Sequence, residues 1–414
     1  MALDLCFYFQ VHQPWRLRPY RYAEVGQHHD YFDVDVNRRI LRRVADKCYL
    51  PMNALLEQLI RTHAPNFRVS FSITATALEQ MQAWAPDALA SFRRLVATGC
   101  VEILAETSHH SLAGLYSREE FAAQIARHRQ VCSRLLGTPG TVFRNTELIT
   151  TDAIAAQVAA LGFRGICIEG ADRLFPAGRV LQPHPLAAAP QLRAVARHYR
   201  LSDDIAFRFS NRQWSEWPLT ADRYVDWLAA NQPADGGERL LGLFMDYETF
   251  GEHQWADTGI FDFMRHLPPR VLARRGLRFA TLSEALARVP VAAPSLHFPA
   301  PVSWADLERD TSAWLGNRIQ QSAQAAVYAL EPYVKAVHGP GRATLLEDWR
   351  RLTTSDHVYY MSTKYWADGD VHKYFSPYDS PYDAYVRYMN VLADVAQRCG
   401  AQTALWNAQQ LQAA

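Results

Sequence analysis

Short continuous apolar runs alternate, through the first part of the chain, with longer stretches whose apolar positions return every three or four residues. Residues 3–11 are the first such run and predict a buried strand. Residues 35–62 then carry a helical pattern, with Ile40, Val44, Leu55, Leu56 and Leu59 among its apolar positions. A strand at 67–73, a helix near 76–97 and a strand at 101–105 follow. Ser117 with Glu120 three residues on is a capping-box signature for a helix running towards Leu136. Pro139-Gly140 turns the chain into a strand led by Val142-Phe143. Thr151 and Asp152 can open the next helix, and 164–168 is a further strand. Residues 169–196, rich in Pro, Ala and Gly, predict an excursion, with a strand resuming at 196–201. Thr220 can cap a helix containing Tyr224, Trp227 and Leu228. Gly236-Gly237 leads into a strand at 240–245, and a last strand at 277–281 precedes a helix from about Ser283.

Strand alternating with helix predicts an α/β fold with a parallel sheet, closed or doubly wound; periodicity does not choose between these. At 290–302 the composition shifts, with Pro290, Pro294, Pro299 and Pro301 making a linker-like stretch. Beyond it the pattern is helical, at 306–337, 344–354 and 382–398. A boundary near residue 295 is therefore expected: residues 1–295 hold the α/β part and 296–414 a C-terminal helical bundle domain.

A chain of 414 residues can bury a sizeable core, and its formal net charge is +1 with both signs mixed along it. No basic stripe argues for nucleic acid, and no apolar run is long enough to span a membrane. The segment Met1 to Phe7 carries an acid and no basic region, so it reads as the first strand rather than a signal peptide. Six cysteines without CxxC spacing predict free thiols in a reducing cytoplasm. No histidine spacing suggests a metal cage, since the neighbours His109 and His110 point apart in an extended chain. No metal or other cofactor is expected.

Two apolar runs end on acids. Phe143-Arg144-Asn145-Thr146-Glu147-Leu148 places Glu147 past one strand, and Met245-Asp246-Tyr247-Glu248 places Asp246 at the end of another. In β/α folds, active sites collect at the carboxyl ends of strands. Two carboxylates facing one cleft are what glycosidic bond cleavage needs. Each acid, taken alone, fits a loop or helix cap equally well, and Glu248 can face the same cleft as Asp246.

These segments resemble glycoside hydrolase family 57, in its α-amylase-type branch. His12-Gln13-Pro14 matches the family's first motif, and Val101 to Glu106 with His110-Ser111-Leu112 resembles the second. The Glu147 and Asp246 segments resemble the third and fourth, and Tyr360-Met361-Ser362-Thr363-Lys364-Tyr365-Trp366 is similar to the fifth. Cys100 stands where many members carry a polar residue. The resemblance implies a distorted seven-stranded β/α barrel whose cleft the helical domain completes. It implies Glu147 as nucleophile and Asp246 as general acid/base of a retaining enzyme acting on α-1,4 linkages of an α-glucan or maltooligosaccharide. His12, His110 and His253 are then expected on sugar hydroxyls, and Glu102 and Glu248 in the substrate site or behind it. Trp15, Trp214, Trp217, Trp255, Tyr360, Tyr365 and Trp366 supply rings of the kind that stack on sugars. Among these, Trp214, Tyr365 and Trp366 are the candidates for substrate contact.

Three other readings compete. The same carboxylates serve a glucanotransferase or branching enzyme when a sugar hydroxyl replaces water. A non-catalytic glucan-binding homologue would keep the aromatic residues and lose an acid, whereas both acids are present. A metal-dependent polysaccharide deacetylase would need an Asp with two suitably spaced histidines, and no such set is found.

Overall fold

The computed structural model describes residues 2–137, 140–175, 179–291, 293–364 and 376–410. The first apolar run forms β1 (Ala2–Val11), in which every residue from Leu3 onward is buried. Burial on both faces marks a central strand of a parallel sheet. The remaining strands are β2 (Val69–Ile73), β3 (Val101–Ile103), β4 (Val142–Arg144), β5 (Gly165–Glu169), β6 (His184–Leu186), β7 (Ala189–Arg197), β8 (Glu238–Asp246) and β9 (Leu277–Phe279). Their order is β3-β2-β1-β8-β7-β5-β4, with every neighbouring pair parallel. The ends of this order meet at a parallel bridge between Ala105 and Phe143. There the Ala105 N–H donates to the Val142 carbonyl at 3.1 Å and the Arg144 N–H to the Ala105 carbonyl at 2.8 Å. Seven parallel strands thus make the β/α barrel. It is distorted where β7 and β8 share only the pair Arg197–Gly242, and where β9 lies beside the first part of β1.

The chain divides into two compact units: Met1–Gln13, Arg39–Glu106 and Ile125–Trp304 form the first, and Pro14–Arg38, Thr107–Gln124 and Ala305–Ala414 the second. The core of the first is aromatic. Phe9 packs on Phe7, Phe71, Tyr247 and Phe250, with ring centroids 5.2–5.6 Å apart. In the second unit Trp349 is fully buried, donates from its indole to the Val327 carbonyl at 2.8 Å, and meets Tyr328 edge-on at 6.3 Å. Among the described residues no helix is long and apolar enough to cross a membrane.

Several elements differ from the sequence expectation. The 35–62 pattern is two helices, Val34–Val44 and Leu50–His63, joined by a π-helical turn at Ala45–Tyr49. The strand expected at 196–201 instead ends at Arg197. That side chain is tied to the Phe244 carbonyl, Glu169 and Asp203, and His198 caps the helix Tyr199–Ala206. Strand β7 was hidden within the Pro- and Ala-rich stretch because its stability comes from parallel pairing with β5, not from local propensity. The helix expected over 306–337 is three pieces, Ser312–Leu315, Arg318–Ala329 and Glu331–Ala336; Asn317 starts the second with a capping box to Gln320. At Ser117 half of the capping box forms. The Glu120 N–H donates to the Ser117 hydroxyl at 3.1 Å, while the Glu120 carboxylate turns to Arg350 and Lys335.

Candidate active site

Glu147 stands on a turn just past β4. Its φ is 56°, and that of Leu148 is 54°. Left-handed backbone at a residue with a side chain costs on the order of 1–3 kcal/mol and collects at functional sites. Local bonds hold the turn. The Leu148 N–H donates to the Asn145 carbonyl at 2.9 Å, the Ile149 N–H to the Thr146 carbonyl at 2.9 Å, and the Asn145 amide to the Ile149 carbonyl at 2.8 Å. The half-buried Glu147 carboxylate accepts the Trp304 indole N–H at 2.5 Å.

Beneath this turn lies Arg144, the last residue of β4 and fully buried. Burial acts to discharge its guanidinium, yet Tyr8, Glu147, Glu106 and Asp246 outweigh that and raise its pKa. Glu147 and Asp246 thus share one buried cation, although their strands are separated in the sheet by β5 and β7. Glu106 closes the cluster. It accepts from the Gln10 amide at 3.2 Å and the Ser72 hydroxyl at 2.5 Å, and Gln10 in turn accepts from the Tyr8 hydroxyl.

Asp246 ends β8 opposite Gln10 of β1 and is half-buried. Two residues on, Glu248 is buried and accepts from the Tyr49 hydroxyl, which itself accepts from the Gln13 amide at 3.3 Å. Burial, then the nearby Asp246 charge, pushes the Glu248 pKa up to about 8, so it is a neutral acid at pH 7. The π-helical turn delivers Tyr49 to this position, and its neighbour Cys48 points its thiol at the Tyr247 carbonyl at 3.0 Å.

A protein-family comparison matches residues 6–294 to "Glycosyl hydrolase family 57". The chain belongs to that family. It is a glycoside hydrolase. A relative from Methanocaldococcus jannaschii, named "Putative alpha-amylase", is 40% identical over 403 residues, covering 94% of this chain and 83% of that protein. Among solved structures, the family 57-type branching enzyme of Pyrococcus horikoshii superposes with a TM-score of 0.70 at 14% identity, covering 100% of this chain and 95% of that one. The 4-alpha-glucanotransferase of Thermococcus litoralis gives 0.62 at 15% identity, covering 96% and 60%. The alpha-amylase of Thermotoga maritima gives 0.62 at 13%, covering 100% and 97%. At these identities the superpositions show a common fold.

Within the family 57 barrel, the other candidates fall in different places. His12 lies just past β1, with Nδ1 3.0 Å from the Thr74 hydroxyl. Burial lowers the His253 pKa to about 4, so its ring is neutral above that pH. Glu102 sits below the rim. Its carboxylate accepts from the Ser70 hydroxyl at 3.2 Å and from the backbone N–H and hydroxyl of Ser283, in the first turn of the helix Leu282–Arg288 that Thr281 caps. Trp214 packs edge-on against Trp227 at 6.1 Å, with Arg208 over its ring at 5.7 Å. His110 belongs to the second unit, where it is buried and its carbonyl accepts the Ser355 N–H at 2.9 Å. Tyr360, in the same unit, is buried against Tyr378 rather than exposed. Tyr365 and Trp366 lie outside the described residues. Among the described residues no cluster of three or more His, Cys, Asp or Glu is arranged to hold a metal ion.

Glu106 and Trp304 are among the residues of the site that sequence reasoning passed over. Glu106 lay within the second motif but was passed over for Glu102. Its signal was its place at the end of a strand, the same signal that pointed to Glu147. Trp304 sat between the stretch read as linker, 290–302, and the helix expected from 306, where nothing local marked it.

Proposed function

We propose that this glycoside hydrolase cleaves α-1,4 linkages in α-glucans or maltooligosaccharides with retention of configuration, Glu147 being the nucleophile and Asp246 the general acid/base. The observation that carries the reading is that both acids, from separate strand ends, bear on one buried cation, Arg144. In the first step a Glu147 oxygen attacks the anomeric carbon as the glycosidic C–O bond breaks, and Asp246, which must enter this step protonated while burial keeps Glu248 neutral, gives its proton to the departing sugar oxygen. In the second, Asp246 takes a proton from water while the water oxygen displaces Glu147, which leaves as a carboxylate. Arg144 supports the ionised nucleophile that the first step needs. His12 and the neutral His253 are proposed partners for sugar hydroxyls. Hydrolysis rather than transfer is favoured by the 40%-identical relative named as an alpha-amylase. The six free thiols, five of them buried, suit a reducing cytoplasm.

The test follows reducing ends and product lengths on amylose and maltooligosaccharides, with the wild type and Glu147→Gln. New reducing ends, lost by several orders of magnitude in the variant, support the reading. Chains redistributed without new reducing ends identify a transferase using the same pair. Near wild-type turnover by Glu147→Gln contradicts the assignment.

A further inference from the structure

The turn that carries Glu147 places two residues with side chains in succession at positive φ, an arrangement that persists only where its surroundings hold it. The end of the stretch read from sequence as linker, 290–302, and the two residues after it supply part of that hold. Residues 298–304 pass beside the turn, and Val302 and Thr150 exchange backbone bonds at 2.9 and 3.1 Å. At the end of this strap the Trp304 N–H reaches the Glu147 carbonyl at 3.2 Å. Its indole N–H then reaches the carboxylate of the same residue at 2.5 Å. One tryptophan therefore grips both the main chain and the reacting side chain of Glu147.

The ring has a second set of partners. The guanidinium carbon of Arg144 lies 4.9 Å from its centroid and that of Arg197 5.6 Å. Both arginines are buried. A cation at an indole face draws electron density from the ring, which makes the N–H a stronger donor. Charge-assisted bonds to a carboxylate are also the stronger class. A phenylalanine here would keep an aromatic face but lose the donor and one of the two fused rings, whereas a histidine would lose the same fused ring and keep a donor, so comparing the two separates packing from hydrogen bonding.

Taking Glu147 as the nucleophile proposed above, we infer that Trp304 is its positioning residue: the indole N–H, backed by Arg144 and Arg197, fixes the carboxylate on its left-handed turn. The fixed orientation matters because attack on an anomeric carbon needs the carboxylate already aligned, and a small misplacement is costly. The residue does not touch the reacting carbon, so its effect belongs in kcat more than in KM.

The experiment compares Trp304→Phe, Trp304→His and Glu147→Gln on a maltooligosaccharide, with thermal melting of each. Trp304→Phe should lose roughly 10- to 100-fold in kcat, as expected for one hydrogen bond to a charged group, with KM close to wild type and a melting temperature no lower than that of Trp304→His. Trp304→His should recover part of kcat, because imidazole Nε2 occupies the same ring position relative to Cβ as indole Nε1. The acidic limb of the pH–rate profile should move to higher pH in Trp304→Phe. Arg144, on which Glu106 and Asp246 also act, still favours the ionised carboxylate there, and the indole bond that favours it too is gone. Wild-type kcat and an unmoved limb in Trp304→Phe would overturn the inference. So would losses that follow melting temperature without recovery in Trp304→His. If Glu147→Gln remains active, the nucleophile assignment itself fails; if Glu147→Gln is inactive and Trp304→Phe is normal, only the role of Trp304 falls.

Discussion

Replacing Glu248 by Gln removes an ionisable proton and keeps the carbonyl oxygen that accepts from Tyr49. In the folded chain, burial and the Asp246 charge hold the Glu248 pKa at about 8. In the unfolded chain a glutamate titrates near 4.3. Between those values the native state carries a proton that the unfolded state has released, so folding takes one up and rising pH opposes it. The contribution is fully present below about pH 4, and is lost progressively until the folded pKa is passed. Each pH unit in the window is worth about 1.4 kcal/mol, so pH 7 is about 3 kcal/mol less favourable than pH 5 through this one group. Glu248→Gln, permanently neutral, does not pay this. Its stability relative to wild type should therefore rise steadily from pH 5 to pH 8, and the two should converge near pH 4. Parallel denaturant or thermal melts of the two proteins across this range give the difference directly and cancel every titration they share. A difference that stays flat with pH would show that Glu248 is ionised in the fold, and would refute the account of a neutral acid beside Asp246.

Asp246→Asn should slow hydrolysis by roughly 10²–10⁴-fold and remove the basic limb of the pH–rate profile, with a smaller loss on an activated aryl glycoside; equal loss on both substrates would move the acid role elsewhere. Glu102→Ala should lower the melting temperature, because the Ser70 hydroxyl and the Ser283 N–H and hydroxyl lose their acceptor, about 1–3 kcal/mol, while kcat/KM holds; a selective fall in kcat/KM would return Glu102 to the substrate site. Phe9→Ala should cost about 3–5 kcal/mol in a denaturant melt, since four aromatic rings pack on it.

What the sequence displayed depended on how local the cause was. Strand β1 announced itself because a central parallel strand is apolar throughout, and Thr151 and Thr220 accept the N–H groups that open their helices. The barrel was legible through that repetition together with the family motifs. Strand β7 was not, because Pro190, Gln191 and several alanines carry little strand preference and the pairing partner is remote in sequence. The π-helical turn at Ala45–Tyr49 was hidden inside an unbroken helical pattern, yet it is what brings Tyr49 to Glu248. In the candidate site, single acids at strand ends could be read one by one. Their shared cation could not, since Arg144 is followed by polar residues like any loop arginine and only the folded barrel buries it. Trp304 lies 157 positions from Glu147, beyond the reach of any periodicity.

The central claim, that Glu147 attacks the anomeric carbon, is tested most directly by trapping the covalent intermediate. A fluorinated glucosyl fluoride that forms the glycosyl-enzyme quickly and releases it slowly should inactivate the enzyme with one sugar bound per chain. Peptide mass spectrometry should then place that sugar on Glu147, and Glu147→Gln should take no label. A label on another carboxylate, or rapid turnover with no labelled protein and a first-formed product of inverted configuration, would contradict the account.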